Sequence, residues 1–268
     1  MRTLPVALTI AGSDSGGGAG IQADLATFAR FGVWGTCAVT CLTAQNPDEV
    51  TLVEPAEPAM VAEQVRVVCK RFPVRAIKIG MTYSGPIVEA IADALVKNAP
   101  GVPVVLDPVM RATSGASLLR DDGEAALVRR LLPLATVVTP NLAAARVLTG
   151  MRTLADLTAM EEAARIIQKH TPGAVVVKGG HLDAEATDVF LHEGTIHRLQ
   201  GERVATPFTH GTGCAFSAAI AAGLAHGRDL RETVRAAKRY VTDILKDAVQ
   251  LGDERLGGLG FLVSGREG

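Results

Sequence analysis

The chain has 268 residues, a formal net charge of −1 and only 4% aromatic residues. This length allows one large α/β domain or two small ones, and we expect one domain over 1–268 because no linker, repeat or low-complexity tract divides the sequence. The small charge and the few aromatic residues argue against a nucleic-acid-binding protein, so a small-molecule ligand is expected. No apolar run reaches about 18 residues, so no membrane-spanning helix is expected.

The four cysteines, Cys37, Cys41, Cys69 and Cys214, contain no CxxC pair and have no zinc-like spacing with the histidines. A structural metal site is therefore not expected. Reduced thiols fit a cytoplasmic protein. The short apolar run at the start of the chain lacks a convincing cleavage site, so it predicts a first strand rather than a signal peptide.

Strand-like and helix-like segments alternate along the chain. The predicted strands cover 4–11, 33–42, 50–53, 74–79, 102–106, 135–138, 174–177, 187–191 and 195–199. The predicted helices cover 21–31, 58–71, 86–97, 123–132, 157–170, a stretch around Cys214, and 230–251, followed by an irregular tail at 257–260. This order predicts an α/β fold, a three-layer α/β/α sandwich whose central sheet is mostly parallel with an antiparallel edge.

A glycine-rich segment at 12–20, hereafter the glycine loop, separates the first predicted strand from the first predicted helix. Residues 18–23 satisfy the GxGxxA form of the dinucleotide-binding fingerprint, which leaves a nicotinamide- or flavin-dependent oxidoreductase as one alternative. The next predicted strand runs into Thr-Ala-Gln-Asn at 43–46, with no acid placed to hold a ribose. A P-loop does not fit either, because no Lys-Ser or Lys-Thr follows the glycines.

Several candidate ligand-binding residues stand where predicted strands end. Ligands of open α/β sheets bind outside the carboxyl ends of strands, so Gln45 and Met81 are expected to face one crevice, although Met81 alone could fill the core. Asp107 could hold a metal bound to phosphates, or it could cap a turn. Lys178 could contact a phosphate or reach solvent. Asn141 could touch a ligand, but capping of the next helix is the favoured interpretation.

The segment 209–217 combines two glycines, Gly211 and Gly213, with Thr212 and Cys214 at the predicted start of a helix. Backbone N–H groups at such a start can point at an anion, which is a phosphate-binding geometry. The positive end of the helix dipole is expected to lower the pKa of Cys214, so that it could act as a base. The alternative is a buried helix with an ordinary glycine-rich entry.

Together these motifs resemble the ribokinase-like small-molecule kinases, and most closely the hydroxymethylpyrimidine/phosphomethylpyrimidine kinases of thiamine biosynthesis. The resemblance spans nearly the whole chain. It rests on 11–24, 42–46, 78–81, 106–110 with 114–115, 139–141, 177–181 and 210–214.

The resemblance implies a ribokinase-like fold and an ATP-dependent kinase. Such an enzyme phosphorylates 4-amino-5-hydroxymethyl-2-methylpyrimidine to the monophosphate and then to the diphosphate. In this family Cys214 would be the catalytic base, and Gly211, Thr212 and Gly213 would form the anion hole. The implied substrate-binding residues are Gly12, Ala19, Gly20, Asp24, Gln45, Met81 and Val109. The implied ATP-binding residues are Asp107, Asn141, Lys178, Thr212 and Lys238, with Asp107 also the candidate ligand for Mg²⁺.

The chain departs from the family pattern at one position. The family signature is Asn-x-x-Glu, but this chain has Asn141 followed by Ala144 at the glutamate position, which puts magnesium handling in question. Two other functions stay open: a vitamin B6 kinase acting on pyridoxine or its relatives, and a non-catalytic ligand-binding sensor on the same fold. The family also suggests a homodimer.

Overall fold

The structure is a computed structural model that describes residues 3–111, 115, 117–180, 186–252 and 256–261. Its strands are β1 (Val6–Asp14), β2 (Trp34–Gln45), β3 (Val50–Pro55), β4 (Val74–Ile79), β5 (Val104–Leu106), β6 (Val137–Val138), β7 (Ala174–Val177), β8 (Asp188–His192), β9 (Thr195–Leu199), β10 (Val249–Gln250) and β11 (Gly257–Gly258). Its α-helices are α1 (Gly20–Arg30), α2 (Pro58–Arg71), α3 (Gly85–Asn98), α4 (Asp121–Ala126), α5 (Leu142–Thr149), α6 (Leu157–Gln168), α7 (Thr212–Ala225) and α8 (Leu230–Lys246). Ser114 and His181, which belong to the motifs above, lie outside the described residues.

In the described part of the chain, β1 to β9 form one nine-stranded sheet in the order β3-β2-β1-β4-β5-β6-β7-β8-β9. The six strands from β2 to β7 in this order pair in parallel. At one end β3 is antiparallel to β2, and at the other end the hairpin β8–β9 continues antiparallel from β7. The mostly parallel sheet with an antiparallel edge is confirmed, and the structure has such an edge at both ends.

The two faces of the sheet are covered by different helices, because alternate residues of each buried strand point to opposite sides. Ala76 and Val105 pack with α1, α7 and α8 on one face. Their neighbours Ile77 and Leu106 pack with α2 and α3 on the other. Towards β7 and β8, α5 and α6 continue this second layer. The predicted three-layer α/β/α arrangement is confirmed.

Two predictions near the end of the chain are wrong. The helix predicted over 230–251 ends at Lys246, just after Ile244, the last buried apolar residue of α8. The tail predicted to be irregular contributes a strand, since Gly257 pairs with Gln250 in the short antiparallel ladder of β10 and β11.

The helix predicted over 123–132 also differs, because α4 continues as a π-helical turn and a 3₁₀ turn that contains Pro133. Proline cannot donate the backbone hydrogen bond of a regular helix.

Candidate active site

A cavity of about 620 Å³ lies at the carboxyl edge of the parallel strands, beside the N-terminus of α7. The sequence-predicted site residues that line it are Gly12, Ala19, Gly20, Gln45, Met81, Asp107, Val109, Asn141, Lys178, Gly211, Thr212, Gly213, Cys214 and Lys238. Asp24 is the one predicted site residue absent from its walls. The parallel strand ends therefore bring residues from distant parts of the sequence to one place, as expected for open α/β sheets.

The anion-binding geometry depends on Gly211, which precedes α7 with a φ of 85°. A residue with a β-carbon is strained in this left-handed region. A β-carbon at Gly211 would also overlap the carbonyl of Gly18 in the glycine loop. Thr212 then opens α7, and Thr212, Gly213 and Cys214 of its first turn line the cavity, where backbone N–H groups without an intrahelical partner can bind a ligand. The N-terminus of α7 is thus built to receive an anion.

Two buried carboxylates each hold one lysine of the cavity. Lys178 Nζ donates to Asp107 Oδ1 at 2.9 Å, and Lys238 Nζ donates to Asp188 Oδ2 at 2.8 Å. A β-carbon on Gly213 would come within 3.1 Å of Lys178 Nζ, so this ammonium group lies next to the first turn of α7. The sequence did not single out Asp188, whose only signal is an acid at the start of an otherwise buried apolar strand. Both lysines are positioned to meet an anionic ligand.

Gln45 and Met81 form the opposite part of the cavity. Gln45 is fixed at its backbone, where its N–H donates to Ser15 Oγ at 2.8 Å and its carbonyl accepts from the same hydroxyl at 2.7 Å. Met81 is 7% exposed and its sulfur lies 3.7 Å from Cys41 Sγ. Met81 therefore fills part of the core and also faces the crevice, because it packs in a small apolar cluster and borders the cavity.

Asp14 and His210 join the glycine loop to the segment before α7. His210 Nε2 lies 3.0 Å from Asp14 Oδ2 and 3.4 Å from Gln45 Nε2. Asp14 also accepts hydrogen bonds from the N–H groups of Gly16 and Ala19, each at 2.8 Å. The sequence did not reveal this pair, because the two residues lie 196 positions apart.

The expected low pKa of Cys214 is wrong. Burial raises the pKa of the Cys214 thiol above its ordinary value, and the nearby charge of Lys78 only opposes this effect. The carboxylates of Asp24 and Asp107 raise the pKa further. Cys214 retains some exposed surface, yet protein surrounds its sulfur closely enough for desolvation to dominate. At neutral pH the resting residue is therefore a thiol.

Asp24 does not form part of the cavity wall predicted from the resemblance. It is fully buried, and its Oδ2 accepts hydrogen bonds from Lys78 Nζ at 2.8 Å and from Thr9 Oγ1 at 2.6 Å. Lys78 stands between this carboxylate and the cavity. A lysine inside the buried strand β4 was a sequence signal for such an ion pair, since a buried charge needs a partner.

The described residues do not form a ready metal cage. They contain no group of three or more His, Cys, Asp or Glu side chains that could hold a metal ion. Asp107 Oδ1 is occupied by Lys178, and its Oδ2 lies 3.4 Å from Ser217 Oγ. Ala144 supplies no ligand, and Asn141 Oδ1 accepts from the Ala144 N–H at 2.8 Å. The favoured capping role of Asn141 is confirmed, whereas a preformed magnesium site does not fit these side chains.

Comparison with known proteins adds independent information. The family model described as phosphomethylpyrimidine kinase matches residues 14–258. A hydroxymethylpyrimidine/phosphomethylpyrimidine kinase of Rhizobium meliloti is 49% identical over 253 residues, covering 93% of this chain and 94% of the relative.

Two solved structures are similar over most of their length. A phosphomethylpyrimidine kinase of Clostridium difficile has 38% identity and a TM-score of 0.78, with 89% of this chain and 98% of the other covered. An ADP complex of Bacillus subtilis pyridoxal kinase has 38% identity and a TM-score of 0.87, with 96% of this chain and 97% of the other covered.

No helix among the described residues is long and apolar enough to cross a bilayer.

Proposed function

Because the chain belongs to the phosphomethylpyrimidine kinase family, we propose that it phosphorylates 4-amino-5-hydroxymethyl-2-methylpyrimidine and then the resulting monophosphate, with ATP as donor, in thiamine biosynthesis. The observation that carries this proposal is the cavity itself. One side of the cavity contains Gln45 and Met81, and the other contains Lys178 and Lys238. The two sides meet at the N-terminus of α7. A heterocycle and a polyphosphate can thus lie end to end, with the transferred group between them.

The chemistry asks mainly for positioning and for stabilisation of charge. Phosphoryl transfer has a loose transition state, so the protein has little covalent work to do. The N–H groups of Gly213 and its neighbours would bind the transferred phosphoryl oxygens, and Lys178 would bind an adjacent phosphate. The amide of Gln45 would pair with the aminopyrimidine edge while Met81 packs on the ring. These contacts hold the hydroxymethyl oxygen in line with the phosphorus atom.

Cys214 would accept the proton of the substrate hydroxyl. Since the resting residue is a thiol, only the small thiolate fraction is competent as a base, and that fraction grows with pH. The demand on it is modest because the proton leaves late in a loose transition state. General-base assistance of this kind typically contributes about 10²- to 10⁴-fold to the rate.

Lys178 and Lys238 would both face the nucleotide phosphates, each exchanging part of its contact with a buried aspartate for a phosphate oxygen. The ADP complex of the Bacillus subtilis relative supports a nucleotide on this fold. Magnesium would be carried on the phosphates of ATP. This proposal rests on the resemblance, since the described side chains form no metal cage.

Vitamin B6 phosphorylation is the second candidate function, because solved pyridoxal kinases are among the similar structures. Pyridoxal also presents a six-membered nitrogen heterocycle with a hydroxymethyl group. A sensor without catalysis is the third candidate function, and Ala144 is the feature that favours it.

We further propose a single-domain, homodimeric and cytoplasmic enzyme. The dimer follows from the resemblance, while four free cysteines support the cytoplasm.

The decisive experiment measures ADP release with magnesium-ATP and each acceptor separately: hydroxymethylpyrimidine, its monophosphate, pyridoxal, pyridoxine and no acceptor. We expect turnover on both pyrimidines and little on the vitamin B6 compounds. Efficient turnover on pyridoxal or pyridoxine alone would overturn the pyrimidine assignment. Binding of ATP and pyrimidine without ADP release would instead identify a sensor.

A further inference from the structure

A buried ion pair lies behind the cavity wall. Lys78 Nζ and Asp24 Oδ2 are 2.8 Å apart, and both side chains are 0% exposed. Burying two charges costs desolvation free energy that their attraction often fails to recover, so such a pair is poor evidence for a purely stabilising role. Lys78 also borders the cavity, as does Cys214 on the facing helix.

We infer that Lys78, anchored by Asp24, is a positioning residue whose fixed positive charge supports the thiolate form of Cys214. This inference rests on the proposed function in one respect, since it assigns the ion pair a part in the base chemistry of Cys214. Beyond that function, Lys78 and Asp24 would set the fraction of Cys214 that is in the thiolate form.

The sequence around the pair makes room for the ammonium group. Gly80 directly follows β4, two residues after Lys78, so a side chain at this position would point to the same face of the sheet as Lys78. A β-carbon on Gly80 would stand 2.6 Å from Lys78 Nζ, and so would compete for the same space. Thr9 on the adjacent strand β1 donates to the carboxylate at 2.6 Å. The lysine therefore has one defined position.

Helix α1 links Asp24 to the catalytic cysteine. The backbone N–H of Gly20, at the start of α1, lies close enough to Cys214 to oppose the rise in its pKa. Asp24 lies four residues further along and hence on the same side of the helix. The second oxygen of Asp24, Oδ1, is buried and has no hydrogen-bond partner among the described residues. Burial raises the pKa of this carboxyl group, and the charge and hydrogen bond of Lys78 oppose that rise, so the charged form of Asp24 depends on Lys78.

Charged groups approach Cys214 from three elements, Asp24 on α1, Lys78 on β4 and Asp107 after β5, and Lys178 after β7 lies beside the neighbouring Gly213. Burial alone would lower the pKa of Lys78, but Asp24, Cys214 and Asp107 together raise it, so the ammonium stays charged at neutral pH. Lys78 stabilises the thiolate most strongly among these charges, while Asp24 and Asp107 oppose it.

Loss of the Lys78 charge and loss of the Asp24 charge should therefore shift the pKa of Cys214 in opposite directions. Lys78→Met removes the supporting charge and raises the pKa of Cys214. Asp24→Asn removes an opposing charge and leaves Lys78 with Cys214 and Asp107 as its anionic neighbours, which lowers that pKa. A merely structural role would not produce effects of opposite sign.

The test is the rate of iodoacetamide alkylation of Cys214 in the full-length protein between pH 6 and 11, resolved from the other cysteines by peptide mass spectrometry. We expect the midpoint to rise by about one pH unit or more in Lys78→Met and to fall in Asp24→Asn. Lys238→Met is the matched control, because it truncates another cavity lysine paired with an aspartate. Its midpoint should equal that of the wild type.

Lys78→Met leaves a buried carboxylate unpaired and so could unfold. The double variant Asp24→Asn/Lys78→Met removes both charges and keeps the volumes, and its midpoint should lie above the wild type but below Lys78→Met. Equal midpoints in Asp24→Asn, the double variant and the wild type would overturn the inference, as would shifts in the same direction for both single variants. This readout needs no substrate, so it is independent of whether the proposed kinase activity is found.

Discussion

His210 Nε2 lies 3.0 Å from Asp14 Oδ2, and this contact ties the glycine loop to the segment that leads into α7. The same carboxylate accepts the N–H groups of Gly16 and Ala19. A single buried side chain thereby fixes two walls of the cavity relative to each other. A change in the conformation of the glycine loop is therefore expected to shift the N-terminus of α7 as well.

Asp14→Asn should lower the free energy of unfolding by about 1–3 kcal/mol at neutral pH, because an amide cannot accept all three hydrogen bonds. Burial by itself would raise the pKa of Asp14, but the hydrogen bonds from His210, Gly16 and Ala19 outweigh it and the pKa is lowered. The stabilisation is therefore complete above about pH 4, the ordinary aspartate range, and is lost as the pH falls through the lower folded value.

Urea unfolding of Asp14→Asn and wild type at several pH values measures this difference. It should be constant from pH 8 to 5 and shrink on further acidification. Asp48→Asn, at an exposed position between β2 and β3, is the control and should change stability little at any pH. A difference that grows on acidification would contradict the assigned role of Asp14.

Turnover should rise with pH, because the raised pKa of Cys214 leaves only a small thiolate fraction at neutrality. Below that pKa, the rate of the chemical step is expected to increase up to about tenfold per pH unit, then level off. Steady-state kinetics on hydroxymethylpyrimidine between pH 6 and 10 test this expectation. A flat profile would remove Cys214 from the proton transfer.

Cys214→Ala should fold normally and lose about 10²- to 10⁴-fold in kcat, since it lacks the proton acceptor but keeps the backbone of the anion site. Thermal unfolding checks the fold and ADP release checks the rate. Cys37→Ala provides the comparison, because Cys37 does not line the cavity. Near-normal turnover in Cys214→Ala would show that another group takes the proton.

Lys238→Met should raise the KM for ATP by about tenfold or more, because a charge-assisted hydrogen bond to phosphate is lost. The KM for the pyrimidine should stay close to the wild-type value, since Lys238 lies on the opposite side of the cavity from Gln45. Lys97→Met, at an exposed position of α3, is the control. A rise confined to the pyrimidine KM would reverse the assignment of the two sides.

Ala144→Glu restores the family glutamate at the start of α5, and we expect it to lower the magnesium concentration needed for half-maximal activity several-fold. Ala144 packs in the apolar core and does not line the cavity, so the glutamate side chain must extend past this cluster to add a ligand for an ion held on the nucleotide phosphates. Ala143→Glu is a close control, because its side chain is exposed whereas Ala144 is buried at 3% exposure. An equal response of both variants would assign the effect to net charge rather than to position.

Strands β4 and β7 were predictable because they are largely buried on both faces, so their apolar runs have clear ends. The structure reproduces the predicted bounds of Val74–Ile79 and Ala174–Val177. Residues at strand ends were predictable for a related reason, since parallel strands deliver Gln45 and Lys178 to the same edge of the sheet.

The electrostatic state of the site was not predictable in this way. The position of Cys214 in the first turn of a helix suggested a lowered pKa, but the depth of burial and the placement of Asp24 and Asp107 are properties of the assembled fold. Periodicity along one segment does not report which charges from other segments approach it. The same limit applies to Asp188, which meets Lys238 across the chain.

The central place of α7 has a consequence for biosynthesis of the protein. This helix packs on the face of the sheet that includes Ala7, Ala76 and Val105, strand residues made early in translation. Until the ribosome has released residues 212–225, α1 alone among the early elements covers part of that apolar face, and the contacts that complete the cover span most of the chain. Folding is therefore expected to be slow and late, with partly synthesised chains prone to association or in need of chaperones.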